Sequence, residues 1–174
     1  MDRKNVKYLT FGALAIALSQ SLSYIKIFRM PQGGSVTIAS TLPIIIFCSI
    51  ASKKYAFLAS FIYGFLQFVL GGLGIHPVSI FLDYILAYGV LGIISFFKDD
   101  KLSKTLGVAV AFFIRYILHF ISGVTIFRSY APKGMHPIIY SASYNSFLVP
   151  EFLITGIIFY LAYDSIKKAI KDTL

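Results

Sequence analysis

Residues 105–127 read TLGVAVAFFIRYILHFISGVTIF, an apolar run of the length that a helix needs to cross a membrane. Arg115 and His119 interrupt this run, and Asp83 interrupts another apolar run earlier in the chain. A charge placed in hydrocarbon costs about 2.5 kcal/mol or more, so such residues usually face a protein interior or a polar pathway. The three residues therefore predict a buried polar site inside a small helical membrane protein.

The same apolar character extends through the whole chain of 174 residues, which is 57% hydrophobic with a mean hydropathy of +0.79. A spanning helix needs about 20 mostly apolar residues. This length predicts one all-α membrane domain over residues 1–174, folded as a compact bundle of six transmembrane helices. The predicted spans are 8–28, 36–51, 55–73, 77–97, 105–127 and 146–170.

The basic residues fall on two sides of the membrane once the chain is divided in this way. One side holds Arg3, Lys4, Lys7, Lys53, Lys54, Lys98, Lys101, Lys104, Lys167, Lys168 and Lys171, and the other holds Lys26, Arg29, Arg128 and Lys133. Because cytoplasmic loops carry the excess of Lys and Arg, both termini are predicted to be cytoplasmic. The formal net charge of +9 does not indicate nucleic-acid binding, since these residues end apolar segments rather than form one basic face.

Polar side chains from four of the predicted helices fall at one depth in the outer half of the membrane. At a rise of about 1.5 Å per residue, Asp83 and Gln67 lie about 9 Å below the outer ends of their helices, and His119 about 12 Å. Asn145 and Glu151 lie at the outer start of the sixth helix. This coincidence predicts a site beneath the external segments, which are rich in Gly, Pro, Tyr and Ser.

Aromatic side chains accompany this polar layer. Tyr84 follows Asp83, Tyr63 lies on the third helix, and Tyr140 lies in the last external segment. Aromatic faces offer stacking and cation–π contact, and a carboxylate offers charge and hydrogen-bond acceptance. Together they predict a pocket for a planar, cationic heterocycle of vitamin size.

Arg115, His119 and Gly123 follow one another at four-residue intervals on the fifth helix. Residues with this spacing share a helix face, so the glycine leaves room beside the histidine. A structural alternative stays open, in which Arg115 and Asp83 form a buried ion pair. Such a pair is still compatible with a binding site, because an arginine can hold a carboxylate in place.

Other kinds of site find little support in the sequence. His76, His119 and His136 are far apart and have no Cys or carboxylate beside them at metal-ligand spacing. Neither a nucleophile-elbow motif nor a phosphate-binding glycine loop is present. The sequence therefore predicts no metal, no cofactor and no enzymatic activity.

A pair of small residues marks the first predicted helix. Ala13 and Ala17 have the small-xxx-small spacing that lets helices pack closely in lipid. Internal packing and contact with a partner protein explain this pair about equally well.

Four stretches, in order along the chain, carry a family resemblance. They are MPQGGSVTI at 30–38, HPVSIFLDY at 76–84, RYILHFISG at 115–123, and SYAPKG at 129–134 with IYSASYN at 139–145. The chain resembles the thiamine-specific substrate-binding subunit, or S component, of energy-coupling-factor vitamin transporters. This resemblance implies a prokaryotic plasma-membrane protein that binds thiamine from outside. It also implies assembly with a transmembrane coupling subunit and two cytoplasmic ATPases, which drive release inward.

The resemblance also implies roles for particular residues. Asp83 stands at an acidic ligand position, where some members have Glu, and Arg115 stands at a basic one. Ala13 and Ala17 match the alanine motif that contacts the coupling subunit. The other implied pocket residues are Gly34, Tyr63, Tyr84, His119, Gly123, Phe127, Tyr140 and Asn145. Some members have Trp at or near Gly34, Tyr63 and Phe127, so the implied pocket has smaller rings and is slightly wider.

Three alternatives stay open at this point. The first is a stand-alone, proton-coupled secondary transporter of a small cationic heterocycle, with Asp83 and His119 as the proton relay; the absence of detectable inverted repeats counts against it. The second is an intramembrane enzyme that acts on a lipid through His119 and a carboxylate. The third keeps the same family but replaces thiamine with a thiamine precursor.

Overall fold

The computed structural model describes residues 2–30, 34–72, 74 and 76–171, without the side chains of 170 and 171. Helix α1 (Arg3–Ser23) begins at Asp2, whose carboxylate accepts a hydrogen bond from the backbone N–H of Lys4 at 3.5 Å. Its buried residues recur at three- and four-residue intervals, which places one face of the helix against α2 and α3.

A short antiparallel hairpin follows α1, formed by strands β1 (Lys26–Arg29) and β2 (Ser35–Thr37). The predicted end of the first span at residue 28 and the predicted start of the second at residue 36 are therefore wrong. Residues 28 and 36 lie on strands that contain β-branched and aromatic residues, which favour strands. Hydropathy alone does not distinguish such strands from the end of an apolar helix. The predicted motif residues 31–33 lie outside the described part of the chain.

Helices α2 (Leu42–Ile50) and α3 (Lys53–Val69) come next. Pro43 lies in the first turn of α2, where a proline is tolerated because its missing N–H has no helical partner there. With nine residues, α2 is shorter than the predicted span over 36–51. Leu73, the predicted end of the third span, is not among the described residues.

Helix α4 is a continuous helical run over Pro77–Phe96 whose winding changes along its length. Pro77–Ile80 is α-helical, Phe81–Leu86 is a π-helix, Ala87–Gly89 is α-helical and Val90–Phe96 is a 3-10 helix. His76 caps the run, since its Nδ1 accepts a hydrogen bond from the backbone N–H of Val78 at 3.1 Å.

Helix α5 (Lys101–Thr125) begins at Asp100, whose carboxylate accepts a hydrogen bond from the backbone N–H of Ser103 at 2.8 Å. The segment between α5 and the last helix, predicted to be an external loop, contains helix α6 (Pro137–Tyr144). Hydropathy did not reveal α6 because it is short and half of its residues are Tyr or Ser. Helix α7 (Leu148–Lys171) follows after a 3-10 turn over Asn145–Phe147.

The chain folds as a predominantly α-helical bundle in which α5 packs against α4, α6 and α7. Three helical runs among the described residues are long and apolar enough to cross a membrane: Pro77–Phe96, Lys101–Thr125 and Pro137–Ala169. The hairpin lies at one end of the bundle, which we call the hairpin end. At the opposite end, Asp99 accepts a hydrogen bond from Tyr163 at 2.8 Å and pairs with Lys167 at 2.9 Å. These contacts join the α4–α5 connection to α7.

Candidate functional site

A cavity of about 620 Å³ opens at the hairpin end. The hairpin, α3, α4, α5, α6 and the start of α7 all contribute to its wall. Of the residues predicted from the sequence, the wall contains Gly34, Gln67, Asp83, Tyr84, Arg115, His119, Gly123, Phe127, Tyr140, Asn145 and Glu151. The structure thus brings together the polar layer that helix rise placed at one depth.

Asp83 is held by two side chains of α5. Nδ1 of His119 lies 2.8 Å from Oδ1 of Asp83, and the hydroxyl of Ser122 donates a hydrogen bond of 2.5 Å to Oδ2. An ionised carboxylate only accepts, so this geometry suits a His119 tautomer with its proton on Nδ1. Among the described residues, Asp83 therefore contacts His119 and accepts a hydrogen bond from Ser122, and no ion pair with Arg115 is present. The structural alternative of an Asp83–Arg115 pair is not what the chain adopts.

Arg115 lies deeper on the same helix, with only 2% of its surface exposed. Its guanidinium carbon lies 4.5 Å from the centre of the Tyr88 ring and 5.2 Å from that of Phe112. Cation–π contact with two rings offsets part of the cost of burying this charge. Two of its nitrogens, Nε and Nη1, are buried and have no hydrogen-bond partner within the described part of the chain. Arg115 therefore brings unused donors to the inner part of the cavity wall.

The π-helical segment of α4 positions Asp83 and Tyr84. Successive side chains of an α-helix point about 100° apart around the helix axis. The wider turn of a π-helix, a feature often found at functional sites, changes this angle locally. Both residues reach the cavity wall. Helix α3 approaches closely behind them, since a Cβ at Gly64 would overlap the carbonyl oxygen of Tyr84.

Helices α5 and α6 meet at Gly123. A Cβ at this position would overlap the hydroxyl of Ser141, which donates to the carbonyl oxygen of Phe120 at 2.9 Å. The side-chain amide of Asn145 in turn donates to the carbonyl oxygen of Ser141 at 2.9 Å. The absence of a side chain at Gly123 thus lets α6 approach and fixes Asn145, rather than only opening room beside His119.

Aromatic rings complete the cavity wall, but not all of the predicted ones. Tyr84, Phe127 and Tyr140 lie in the wall. Tyr63 does not: it is fully buried, its ring packs edge-on against Tyr88 at 5.1 Å, and its hydroxyl donates to the carbonyl oxygen of Ser19 at 3.4 Å. Tyr63 therefore supports Tyr88 from behind.

Several wall residues were not singled out from the sequence. Ser122 could have been found, because it lies three residues after His119 on the same helix face. Tyr88 and Ser141 carry no signal that separates them from the many other Tyr and Ser residues of the chain. Thr37 and Ser40 contact Glu151; Thr37 ends the hairpin that hydropathy did not reveal, and Ser40 follows it.

A second, apolar groove of about 530 Å³ runs between α1 and α3, near the middle of the bundle. Ala13 and Ala17 lie in its wall together with Gly12, and both alanines are exposed. Gln20 of this groove accepts a hydrogen bond of 2.8 Å from Gln67 of the cavity, so the walls of the two depressions are in contact there.

The histidines do not form a metal centre. Within the described ranges, no three His, Cys, Asp or Glu residues lie close enough together to hold a metal ion. His76 and His136 instead accept backbone hydrogen bonds at the starts of α4 and α6.

Comparison with known proteins identifies relatives of this chain. A family model described as thiamine transporter protein matches residues 9–171. The thiamine transporter ThiT of Bacillus subtilis (strain 168) is 35% identical over 158 residues, which cover 82% of both chains. ThiT of Lacticaseibacillus paracasei is 31% identical over 104 residues, covering 50% of this chain and 52% of that one.

A solved structure of ThiT from Listeria monocytogenes has the same fold as this chain. The two agree with a TM-score of 0.80 at 20% sequence identity, over 94% of this chain and 96% of that one. The family resemblance seen in the four sequence stretches is confirmed by these matches.

Proposed function

The chain belongs to the thiamine transporter protein family, a family of transporters rather than enzymes, and on this basis we propose that it captures thiamine in the cavity at the hairpin end. The observation that carries the proposal is the arrangement of Asp83 in this cavity. A carboxylate held by His119 and Ser122 stands among the rings of Tyr84, Phe127 and Tyr140. That combination suits a flat cation with amine donors.

Thiamine consists of an aminopyrimidine ring and a positively charged thiazolium ring with a hydroxyethyl arm. In our proposal Asp83 accepts from the amine-bearing part or pairs with the positive part, and the three aromatic rings stack on or flank the heterocycles. His119 and Asn145 hydrogen-bond the ligand. Arg115 orients the inner part of the pocket, where its two unused donors await an acceptor.

We further propose that the chain acts as the binding subunit of an ATP-driven importer and performs no chemistry itself. Ala13 and Ala17 line an exposed apolar groove that has room for a helix of a transmembrane coupling subunit. Two cytoplasmic ATPases would then drive release inward. In this arrangement six helical segments cross a prokaryotic plasma membrane, both termini are cytoplasmic, and the cavity faces outward. The basic residues concentrated at the end opposite the hairpin support this orientation.

A titration of the purified, ligand-stripped protein in detergent tests the capture of thiamine. Isothermal calorimetry with thiamine should show saturable one-to-one binding, much tighter than with riboflavin, folate or the separate aminopyrimidine and thiazolium halves. Tighter binding of the aminopyrimidine half would instead indicate a thiamine-precursor ligand. A folded sample that binds none of these compounds would contradict the proposal.

The contact between Asp83 and His119 also favours a second candidate, a stand-alone proton-coupled transporter. A carboxylate and an imidazole 2.8 Å apart can exchange a proton. The purified chain alone in liposomes should then accumulate thiamine when a pH gradient is applied. The capture proposal expects no such uptake without the coupling subunit and ATPases.

A further inference from the structure

The hairpin end of the structure contains a buried carboxylate that the proposed ligand contacts do not use. Glu151 lies in the first turn of α7 and is 5% exposed. Its Oε1 lies 3.1 Å from the hydroxyl of Thr37 and 3.4 Å from that of Ser40, and it accepts from this pair of hydroxyls. Thr37 is also 2.7 Å from Ser40 through their hydroxyls, so the three side chains form one cluster.

This cluster joins parts of the chain that are far apart in sequence. Thr37 ends strand β2, Ser40 lies in the turn before α2, and Glu151 is more than a hundred residues later. Strand β2 also packs against α7. Strand β1, by contrast, is exposed along its whole length. The hairpin is thus attached to the bundle along β2 and the turn that follows it, and Glu151 is the acidic residue at that attachment.

A second contact lies at the other end of β2. Gly34 has a φ of +78°, and a Cβ there would lie 2.5 Å from Cδ1 of Phe147, just before α7 begins. Gly34, Thr37, Ser40, Phe147 and Glu151 all belong to the cavity wall. The position of the hairpin against α7 therefore closes one side of the cavity.

We infer that Glu151 is a positioning residue that latches the hairpin onto α7 by hydrogen bonding to the hydroxyl pair of Thr37 and Ser40. The latch itself follows from the contacts, and its effect on thiamine rests on the proposed function. A hairpin held against α7 slows the escape of a bound molecule, whereas a released hairpin opens that side of the cavity. Glu151 acts through the hairpin, and its charge is not assigned to the ligand.

Spin-label distances test the latch without any ligand. Replacement of the buried Cys48 by Ser ensures that spin labels attach only at introduced cysteines. We place these cysteines at Phe28 on β1 and at Val149 on α7, both of which are 55% exposed. The labelled Cys48→Ser protein, which is the reference protein, and its Glu151→Gln variant should give one narrow distance distribution, because an amide oxygen still accepts from the Thr37–Ser40 hydroxyl pair. Glu151→Ala and the double variant Thr37→Val/Ser40→Ala should give a broader distribution that extends to longer distances. Identical distributions in all four proteins would overturn the latch.

Thiamine kinetics supply the second readout. Unlatched variants should release thiamine about tenfold faster or more while the association rate changes by about threefold at most, since changes within one binding site act mainly on dissociation. Glu151→Gln should stay close to the reference protein. A loss of affinity in Glu151→Gln as large as in Glu151→Ala, with unchanged distances, would assign Glu151 to the ligand's charge and overturn the latch. If the reference protein binds no thiamine, the capture proposal fails, and the distance measurement still decides the latch.

Discussion

Nδ1 of His119 lies 2.8 Å from Oδ1 of Asp83, so two residues 36 positions apart in sequence form one hydrogen-bonded unit inside the bundle. The unit fixes the direction of the carboxylate and turns Nδ1 of the imidazole toward it. Helix α5 thus orients Asp83 of α4 with two side chains, those of His119 and Ser122.

Replacement of Asp83 by Asn should weaken thiamine binding by about 2 to 5 kcal/mol, because a buried partner of the ligand's charge is lost. Calorimetry on the purified variant in detergent measures this difference. Asp164→Asn is the matched control, since it makes the same chemical change at an exposed site in the opposite half of the bundle. Equal affinities for Asp83→Asn and the unsubstituted protein would exclude Asp83 from the site.

Replacement of Ser122 by Ala should weaken thiamine binding about tenfold. A hydrogen bond to a charged group contributes about 1.5 to 3 kcal/mol, and a water molecule can replace part of that contribution in the variant. The variant removes the donor to Oδ2 of Asp83 and leaves the carboxylate in place. Ser95→Ala provides the control, because Ser95 donates only to a backbone carbonyl far from the cavity. If both variants bind alike, Ser122 does not position Asp83 for the ligand.

Substitution of Ala13 or Ala17 by Trp should abolish thiamine uptake by the assembled transporter in cells while thiamine binding stays within about twofold, because a large ring fills the apolar groove without reaching the cavity. Uptake of labelled thiamine and calorimetry of the purified variants separate the two effects. Leu14→Trp is the control, since Leu14 is exposed on α1 but lies outside the groove. Normal uptake by both alanine variants would remove the groove from the proposed assembly.

Asp99 predicts an acid dependence of stability at the end opposite the hairpin. Partial burial by itself raises the pKa of Asp99, but hydrogen bonds from Lys167 and Tyr163 outweigh it, so the pKa lies below its ordinary value. A carboxyl whose pKa is lowered by folding stabilises the folded state above its unfolded pKa. This contribution is lost as the pH falls through the folded value.

Asp99→Asn should therefore lower the free energy of unfolding at pH 7 by about 1 kcal/mol or less, given the exposure of this group. The difference from the unsubstituted protein should shrink as the pH falls below about 4. Thermal unfolding in detergent between pH 3 and pH 7 measures it. A difference that persists in acid would show that Asp99 acts through packing rather than charge. Tyr163→Phe should reduce the pH-dependent part, because it removes one of the donors.

The sequence predicted which residues form the site better than it predicted the secondary structure around the site. Asp83, Arg115 and His119 stood out because a charge within an apolar run has few explanations, and helix rise then gave their depth. Their pairing was not accessible in this way. Which two of three polar side chains meet depends on helix rotation, and the π-helical segment of α4 changes that rotation without any sign in the hydropathy.

The hairpin and α6 were missed for a different reason. Lys26–Arg29 and Ser35–Thr37 are too short to show a periodic pattern, and their pairing depends on contacts across the turn. Tyr63 was placed in the pocket although it packs behind Tyr88, because an aromatic residue at the correct depth can face either the cavity or the core. Depth along a helix follows from counting residues, whereas the facing direction requires the neighbouring helices.

The changes of winding along α4 have a mechanical consequence. The π-helical residues Phe81–Leu86 turn through a smaller angle per residue than an α-helix, and the 3-10 residues Val90–Phe96 turn through a larger one. The smaller rotation in the π-helical segment is therefore offset by the larger rotation in the 3-10 segment. Conversion of either segment to α-helical winding would rotate Asp83 about the helix axis relative to the buried Leu91 and Ile94. The winding of helix α4 thus sets the rotational position of Asp83 relative to the buried core face of the same helix.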